Sequence, residues 1–399
     1  MEGMVKREKY LNRLRRLAGV PVVKVLAGMR RSGKTVLMRQ FAEEMRASGK
    51  STLEYNFEIL NPGSAWDASA LYNDIKDSSG GDDGKTCLFL DEVQEIDGWE
   101  RVVNSLLAEG NHDIYITGSN SRMLSGELST YLAGRFAEIE VFPFTYSEYL
   151  GLTGKDPGTG FMDFFLEGGM PSALRVSGDP VAARDMLGGI HSSVVLRDVV
   201  SRNGVRDADT LERLVSFLMS NSGRAFSANS VAKYLRAGGK GVSVDTVLNY
   251  VRYCEEAYLV KGVRKADVHG KGIMGQSEKH YFCDHGIREA MVGGNAENRG
   301  HVLEGIILVE LLSRGYDVKT GDVMGREIDF VCDRGSDRMY VQVAWTAGDP
   351  ETAEREFRPF RDIRDGYPRF LVTTDGADLG QEGVTHMNVA DFLLNQNLY

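Results

Sequence analysis

Hydrophobic and polar positions in the first third of the chain form blocks that predict strands followed by helices. Residues 22–27 are an apolar, β-branched run that predicts a strand, and apolar residues at helical spacing follow through about Ala47. Further strands are predicted at residues 51–57, 86–92 and 111–121. Strands that alternate with helices in this order predict an α/β fold with a doubly wound parallel sheet.

The pattern changes after this first block. Residues 151–205 alternate helical patterns with glycines, which predicts a small helical lid. Residues 206–292 show three amphipathic helices followed by a β-hairpin, and residues 293–399 return to an α/β pattern. We therefore predict four domains, which span residues 1–150, 151–205, 206–292 and 293–399.

A glycine-rich turn joins the first strand to its helix. From Gly28 to Thr35 it has the spacing Gly-x-x-x-x-Gly-Lys-Thr of a phosphate-binding P-loop. Gly28 and Gly33 permit backbone angles that point successive N–H groups at a phosphate, and the following helix directs its positive dipole end there. Lys34 offers a charge to the β- and γ-phosphates, and Thr35 offers a hydroxyl to Mg²⁺. We predict that ATP with Mg²⁺ binds here through Gly28, Arg30, Arg31, Ser32, Gly33, Lys34 and Thr35.

Two carboxylates end the strand predicted at residues 86–92. Asp91 and Glu92 follow four apolar residues, as expected for a buried parallel strand that delivers its last side chains to the ligand-binding edge of the sheet. We predict that Asp91 binds Mg²⁺, directly or through water, and that Glu92 polarises the attacking water.

The order of these and later motifs resembles one family, the prokaryotic AAA-like ATPases that carry a C-terminal domain of unknown function. The resemblance covers almost the whole chain, and its motifs are Arg30-Arg31, Asp91-Glu92-Val93-Gln94, Gly98-Trp99-Glu100, residues 117–121, residues 132–135, residues 143–148, residues 167–171 and residues 196–202. It implies a P-loop NTPase core, a helical lid and a winged-helix domain.

The resemblance also implies two further catalytic residues. In AAA-type ATPases a polar side chain at the end of the strand predicted here at residues 111–121 orients the water near the γ-phosphate. Ser119 is our first candidate for this residue, and Asn120 is the second. Arg135 has two interpretations. It is either an arginine finger for the nucleotide of a neighbouring subunit, which implies a homo-oligomer, or a structural ion pair.

The predicted winged helix (residues 206–292) raises the question of its partner. Asp245, Thr246 and Asn249 are expected on the outer face of the third helix, a position used for base reading. Between residues 205 and 290, however, 13 Lys/Arg stand against 10 Asp/Glu, a balance of only +3. Two partners therefore remain open, double-stranded DNA and another protein.

The last domain carries a second constellation of chemical groups. Glu304 on a helix, Asp329 on a strand and Gln342 on the next strand are similar in order to the PD-(D/E)xK nuclease core, an α/β restriction-endonuclease-like fold that binds Mg²⁺. Gln342-Val343-Ala344 stands in place of E-x-K, so one ligand is neutral and the lysine is missing. An amide oxygen can still bind a hard cation, whereas Ala344 cannot stabilise charge. The residues that could replace the lysine in space are Lys319, Arg326 and Arg355. We predict a degenerate nuclease-like module, with an active nuclease or an unrelated α/β fold as the alternatives.

Composition restricts the partners and the location. The net charge of −10 and the pI near 5.4 exclude a global field that attracts nucleic acid or anionic membranes. The four cysteines lie far apart and show no metal-binding spacing, which is typical of thiols in a reducing compartment. The apolar runs are too short to span a membrane, and the N-terminus lacks the apolar core of a signal peptide. We therefore predict a cytoplasmic protein without a membrane partner.

Together these features predict an AAA-like ATPase that hydrolyses ATP with Mg²⁺ to switch its winged-helix and nuclease-like half in association with DNA. Two alternatives are an ATP-gated nuclease and a DNA-binding regulator that holds nucleotide without hydrolysing it. Glu92 beside Asp91 favours hydrolysis over the regulator, because a purely structural nucleotide site needs no base.

Overall fold

The computed structural model divides the chain into two compact units. It describes residues 5–59, 67–79, 85–121, 132, 134–236, 241–268, 273–294 and 296–395. The first unit holds the described residues up to Val141 together with Glu256–Tyr258. The second unit holds those of Phe142–Glu255 and of Leu259–Tyr399. The boundaries of the four domains drawn from the sequence stay predictions.

The first unit is a parallel sheet flanked by helices. Its described helices are α1 (Glu8–Leu17), α2 (Lys34–Ala47), α3 (Ala68–Ser78) and α4 (Trp99–Glu109). Its described strands are β1 (Val23–Ala27), β2 (Thr52–Asn56), β3 (Thr86–Asp91), β4 (His112–Gly118) and β5 (Phe136–Glu140). All neighbouring strands pair in parallel, in the order β2-β3-β4-β1-β5. The predicted α/β fold with a parallel sheet is thereby confirmed.

The register of this sheet brings the ends of three strands to one edge. Asn56 at the end of β2 pairs with Asp91 at the end of β3. Leu90 pairs with Ile116 of β4, so the next residue of β4, Thr117, lies beside the end of β3. Strands β1, β3 and β4 are buried at every residue, as expected for parallel strands covered on both faces.

An aromatic cluster fixes α2 on the sheet. The rings of Phe89 and Tyr115 stack with centroids 4.9 Å apart, and Phe41 of α2 packs on Tyr115 at 5.2 Å. Helix α1 joins this core through Tyr10 and Leu14, which are fully buried. Because aromatic side chains bury large apolar areas, this contact anchors the middle of α2, the helix that follows the P-loop.

The second unit combines helices with one large mixed sheet. Its described helices are α5 (Tyr146–Thr153), α6 (Gly160–Glu167), α7 (Pro171–Leu174), α8 (Pro180–Ser193), α9 (Ala208–Ser220), α10 (Ala228–Arg236), α11 (Val244–Glu256), α12 (His285–Val292), α13 (Arg299–Ser313), α14 (Pro350–Phe357) and α15 (Val389–Leu394), and a π-helical segment follows α8 at Val194–Ser201. Its described strands are β6 (Ala225–Phe226), β7 (Val260–Asp267), β8 (Ile273–Phe282), β9 (Asp317–Val323), β10 (Arg326–Arg334), β11 (Asp337–Val343), β12 (Arg369–Thr373) and β13 (Thr385–Asn388).

One sheet runs through the two predicted C-terminal domains. Its order is β13-β12-β11-β10-β9-β7-β8-β6. The predicted hairpin is present as the antiparallel pair β7–β8. Strand β7 then pairs in parallel with β9, for example Lys265 with Thr320. The strands predicted on either side of residue 292 are therefore hydrogen-bonded to one another through β9, a strand that the hydrophobic pattern did not predict.

Candidate nucleotide site

The P-loop is a tight turn between β1 and α2. Gly33 has φ 96° and Arg31 has φ 67°, so both residues adopt left-handed backbone angles. Gly28 is needed for a different reason, because a Cβ at this position would lie 2.3 Å from the carbonyl oxygen of Val141. The Oγ of Ser32 is fully buried and has no hydrogen-bond partner among the described residues. The loop therefore holds a polar atom whose hydrogen-bonding capacity is unused.

Lys34 is the buried cation of this loop. Its Nζ donates to the carbonyl oxygens of Gly28 at 3.0 Å and Met29 at 3.1 Å. Glu92 Oε1 lies 3.7 Å from the same Nζ. A lysine buried to 3% exposure needs such partners, because an isolated ammonium group is costly away from water.

Asp91 lies at the centre of a hydrogen-bond network at the end of β3. Its Oδ1 accepts from Thr35 Oγ1 at 3.1 Å and from Thr117 Oγ1 at 2.6 Å, and its Oδ2 accepts from Asn56 Nδ2 at 2.8 Å. Burial raises the pKa of Asp91, and the charge of Glu92 adds to that effect, whereas the two threonine hydrogen bonds lower it. The predicted pair Thr35 and Asp91 is thus in direct contact.

Glu92 follows Asp91 in an unusual backbone conformation. Its φ is 54°, which is uncommon for a residue other than glycine. Its backbone N–H donates to Thr117 Oγ1 at 2.8 Å, and Gln94 Nε2 donates to its carboxylate Oε2. These contacts hold the residue so that its carboxylate lies next to Lys34.

Three polar residues of this network were not predicted from the sequence. Asn56 and Thr117 contact Asp91, and Gln94 contacts Glu92. The predicted Ser119 and Asn120 follow β4 directly and are both buried. The signal for Thr117 was its place inside a buried strand that ends beside Asp91, where a polar side chain needs a partner.

The predicted arginines have separate partners. Arg30 Nη1 forms an ion pair with Glu58 at 2.6 Å, and Arg31 is exposed. Arg135 is also exposed, and its guanidinium donates to Asn104 Oδ1 at 3.0 Å and to the carbonyl of Leu132 at 3.2 Å. These described contacts of Arg135 are hydrogen bonds to neutral groups, unlike the structural ion pair considered above.

A segment before the P-loop also contacts it. Arg7 is buried, and its Nη1 donates to the carbonyl oxygen of Ser32 at 2.9 Å. The same guanidinium lies over the ring of Tyr10, with its Cζ 4.5 Å from the ring centroid. A cavity of about 190 Å³ lies beside Asp91 and two of its hydrogen-bond partners, lined by Thr35, Met38, Arg39, Glu54, Tyr55, Asn56, Phe89 and Asp91.

The second unit contains the predicted carboxylate constellation as a buried cluster around Lys279. The Nζ of Lys279, on β8, lies 3.4 Å from Glu304 Oε2, 3.8 Å from Asp329 Oδ1 and 2.5 Å from Glu327 Oε1. Burial opposes the charged form of Lys279, but these carboxylates outweigh burial and raise its pKa. Burial, reinforced by the charge of Glu304, raises the pKa of Asp329 well above its usual range.

Gln342 joins the edge of this cluster. Its Oε1 accepts from the backbone N–H of Asp329 at 3.2 Å, and its Nε2 donates to Glu356 Oε2 at 2.9 Å. Of the cations considered as replacements for the missing lysine, Lys319 pairs with Asp317 and Arg326 pairs with Asp362. Arg355 contacts Glu356 at 2.8 Å and thus reaches only the outer side of Gln342. The cation within the cluster is Lys279, which the sequence pattern did not single out.

Comparisons with known proteins agree with the first of these two sites. Residues 21–150 match a family described as "AAA domain", and residues 158–298 match a family described as "Domain of unknown function (DUF8612)". The parallel sheet, the P-loop and the Asp91–Glu92 pair together define an AAA-like P-loop ATPase domain. Neither matched description names a winged helix or a nuclease.

Relatives extend over almost the whole chain. An uncharacterised protein of Haemophilus influenzae is 32% identical over 402 residues, covering 98% of this chain and 99% of that protein. An uncharacterised protein of Methanocaldococcus jannaschii is 25% identical over 378 residues, covering 90% of this chain and 82% of that protein. This chain belongs to the same family as the Haemophilus influenzae protein.

Two of the solved structures that match this chain do so at low scores. The Aeropyrum pernix ORC1 protein in complex with DNA is 12% identical, with a TM-score of 0.35 over 72% of this chain and 92% of that one. DnaA from Aquifex aeolicus bound to AMPPCP is 15% identical, with a TM-score of 0.32 over 64% of this chain and 89% of that one. At these scores the similarity carries no argument about function.

Two findings bear on the predicted surroundings of the protein. Within the described part of the chain, no helix combines the length and the apolar character needed to cross a bilayer. The four cysteines, Cys87, Cys254, Cys283 and Cys332, are all buried and free.

Proposed function

We propose that this protein binds ATP with Mg²⁺ at the P-loop and hydrolyses it. The observation that carries the proposal is the hydrogen bond of 3.1 Å between Thr35 Oγ1 and Asp91 Oδ1. It joins the two oxygen ligands that the sequence assigns to Mg²⁺, and Lys34 and Glu92 lie directly beside them at 3.7 Å from one another.

The donor set of this site fits both groups. A hydroxyl and a carboxylate are hard oxygen ligands of the kind that Mg²⁺ prefers, and Mg²⁺ commonly takes only one or two of them together with phosphate oxygens. The unpartnered Oγ of Ser32 and the buried Nζ of Lys34 are suited to phosphate oxygens. Arg30 and Arg31 at the same turn add positive charge.

Each residue has a defined task in this proposal. Bound Mg²⁺ would neutralise the charge that develops on the phosphate oxygens. Lys34 would exchange the carbonyl oxygens of Gly28 and Met29 for phosphate oxygens. Asp91 is held in place by Thr117 and Asn56, and Glu92 orients the attacking water and accepts its proton.

The test is steady-state ATP hydrolysis by the full chain, with and without double-stranded DNA. We expect Mg²⁺-dependent turnover that is lost in Lys34→Ala. Glu92→Gln should bind ATP and fail to hydrolyse it, because the amide keeps the shape of the side chain and removes the base. Absence of ATP binding to the folded wild-type protein in a calorimeter would overturn the proposal.

We further propose that residues 206–292 are a winged helix that contacts double-stranded DNA. Support comes from the order of α9, β6, α10, α11 and the β7–β8 hairpin, and from exposed Asp245 and Asn249 on α11. Thr246 is half-buried, and its Oγ1 lies 2.8 Å from Ser243 Oγ at the start of that helix. A gel shift that weakens steeply with salt and is lost in Asn249→Ala with Arg252→Ala would support DNA, whereas no shift at low salt would exclude it.

For residues 293–399 we propose a nuclease-like module that does not cleave DNA. Lys279 occupies the space between Glu304 and Asp329 where the resemblance expects a cation, and it neutralises part of their charge. A divalent ion would have to displace a buried ammonium group that three carboxylates hold. Plasmid nicking with Mg²⁺ or Mn²⁺ that disappears in Asp329→Ala would contradict this proposal.

The proposed switch requires that ATP changes the C-terminal half, and the arginine finger requires an oligomer. Protease protection of residues 206–399 should therefore differ between Glu92→Gln with ATP and Lys34→Ala with ATP. If exposed Arg135 acts on a neighbouring subunit, mixing Arg135→Ala with Lys34→Ala should restore part of the turnover. Equal protection in the first experiment would reject the switch, and no restoration in the second would reject the finger.

A further inference from the structure

A histidine and two glutamates converge on one point between α11 and the hairpin β7–β8. His280 Nε2 lies 3.6 Å from Glu255 Oε1 and 3.9 Å from Glu278 Oε2. These three ligand atoms all lie within 4.8 Å of one another. Glu278 and His280 share one face of β8 because they are two residues apart, and Lys279 between them faces the separate carboxylate cluster.

The imidazole of His280 has hydrogen-bonding capacity that the described residues do not use. The side chain is 3% exposed, and neither Nδ1 nor Nε2 has a hydrogen-bond partner among the described residues. Buried polar atoms of native proteins are nearly always paired, so an imidazole directed at two carboxylates requires an explanation. Its ring packs edge-on against Phe226 with centroids 4.8 Å apart, which holds Nε2 towards the glutamates.

The neighbouring strand leaves room for this arrangement. Gly262 of β7 pairs with His280, and a Cβ at Gly262 would lie 2.3 Å from Glu255 Oε1. The absence of a side chain there lets the Glu255 carboxylate reach the imidazole. Arg264 Nε binds Glu278 through Oε1 at 3.2 Å, so the other oxygen of Glu278 is the one that faces His280.

We propose that His280, Glu255 and Glu278 form a site for a divalent transition-metal ion of the Zn²⁺ type. One imidazole nitrogen and two carboxylate oxygens are a ligand set that suits Zn²⁺ better than Mg²⁺ or Ca²⁺. Bonds of about 2.0–2.2 Å to a tetrahedral Zn²⁺ require ligand atoms roughly 3.4 Å apart, so the distances from Nε2 need to shorten only slightly.

The fourth ligand position faces solvent. The side chains of Glu255 and Glu278 are 36% and 35% exposed, so water can reach the ion from their side. Bound metal would tie the end of α11 to the hairpin β7–β8. The site is separate from the P-loop, and its ligands belong to the second unit.

The protonation of these groups is compatible with metal binding near neutral pH. Burial lowers the pKa of His280 to about 4, so its imidazole is neutral and has a lone pair to offer. Burial and the charge of Glu278 raise the pKa of Glu255 to about 7, while Lys261, Arg264 and a hydrogen bond from Gly262 oppose this rise.

The experiment is titration of the EDTA-treated, dialysed full chain with Zn²⁺ alone in a calorimeter, in buffer that contains excess Mg²⁺ and no nucleotide. We expect one Zn²⁺ per chain and a rise in Tm that grows with free Zn²⁺. His280→Gln and Glu255→Gln should each weaken Zn²⁺ binding by roughly 100-fold or more, since each removes a direct ligand. Metal analysis after dialysis should give the same stoichiometry.

Controls separate this site from other binders. His112→Gln removes another buried histidine and should leave Zn²⁺ affinity unchanged, as should Lys34→Ala at the P-loop. If His280→Gln fails to fold, Gly262→Ala provides a second variant, because its Cβ would push the Glu255 carboxylate away without removing a ligand. Co²⁺ should give the visible absorption of a tetrahedral complex in the wild type and in the two controls His112→Gln and Lys34→Ala, and should not give it in His280→Gln. Absence of Zn²⁺ binding, or binding that survives both His280→Gln and Gly262→Ala, would overturn the proposal.

Discussion

Thr117 Oγ1 donates a hydrogen bond of 2.6 Å to Asp91 Oδ1 and at the same time accepts the backbone N–H of Glu92 at 2.8 Å. One hydroxyl thus holds the carboxylate of Asp91 and the backbone of Glu92, the two residues that the sequence assigns to Mg²⁺ and to catalysis. Because Asp91 is buried and its pKa is raised by burial, loss of this donor should also make its ionised form less favourable.

Thr117→Val tests this role, since valine keeps the shape of threonine and removes the hydroxyl. We expect kcat for ATP hydrolysis to fall by about 10- to 100-fold, the range typical of residues that orient metal ligands. Thr86→Val is the matched control, because Thr86 is also buried but lies at the opposite end of β3. Equal kcat values in Thr117→Val and the wild type would show that this hydroxyl does not orient the carboxylates.

Arg7 offers a test of whether the segment before the P-loop supports it. Its guanidinium donates to the carbonyl of Ser32, so we expect Arg7→Ala to loosen the loop and weaken ATP binding. A hydrogen bond to a charged group contributes about 1.5–3 kcal/mol, of which a part should reach the nucleotide, so the rise in Kd should be about tenfold. Calorimetry measures it. Arg13→Ala, in the helix that follows Arg7, is the control, because Arg13 donates to the backbone carbonyl of Glu138 and its loss should leave Kd unchanged.

The parallel sheet and the P-loop could be predicted because they depend on short-range sequence signals. Gly28 and Gly33 stand at fixed spacing, and the buried strand that ends in Asp91 is a continuous apolar run. The partners of Asp91 could not be predicted in the same way, since Asn56 and Thr117 come from two other strands and meet it only through the register of the sheet.

Lys279 shows the same limit more clearly. It precedes Glu304 and Asp329 in the sequence, on a strand that belongs to the predicted hairpin. The sheet brings β8 to the helix and strand that carry these carboxylates, and no local pattern encodes that pairing. Similarly, His280 and Glu255 lie 25 residues apart in the sequence, and neither belongs to a recognisable metal-binding motif.

A buried ion pair joins strands β1 and β4 of the parallel sheet, and we expect it to contribute to stability. Lys24 is fully buried in β1, and its Nζ donates to Asp113 Oδ1 and to the carbonyl of Val20 at 2.7 Å. Asp113 Oδ2 accepts from Tyr115 Oη at 2.7 Å. Asp113→Asn should lower the free energy of unfolding by about 3 kcal/mol, since it leaves a buried ammonium group without its counter-charge. Denaturant unfolding followed by circular dichroism measures the change.

The same variant should show a stronger dependence of stability on alkaline pH than the wild type does. Burial already lowers the pKa of Lys24, while the hydrogen bond and charge of Asp113 raise it, so removal of that charge lowers it further. Between this folded-state pKa and the unfolded value of about 10.4, the unfolded chain binds more protons, and stability must therefore rise with pH. The double variant Lys24→Met with Asp113→Leu should lose this rise. Identical pH profiles for Asp113→Asn and the double variant would contradict the assignment.

The four buried cysteines predict the thiol chemistry of the native protein. Burial raises the pKa of Cys87 to about 11 and that of Cys254 to about 12, and it raises the pKa of Cys332 well above its usual range. Because the thiolate is the reactive form, the native protein should react with an aromatic disulfide reagent at pH 8 far more slowly than a free thiol does. Unfolding in guanidinium should expose all four thiols and give four equivalents at once.

The rate of thiol labelling in the native protein should follow the rate of local opening. It should therefore fall when ATP binds to the unit that holds Cys87. Rapid labelling of Cys87 in the folded protein, identified by peptide mapping, would show that β3 is more accessible than its burial indicates.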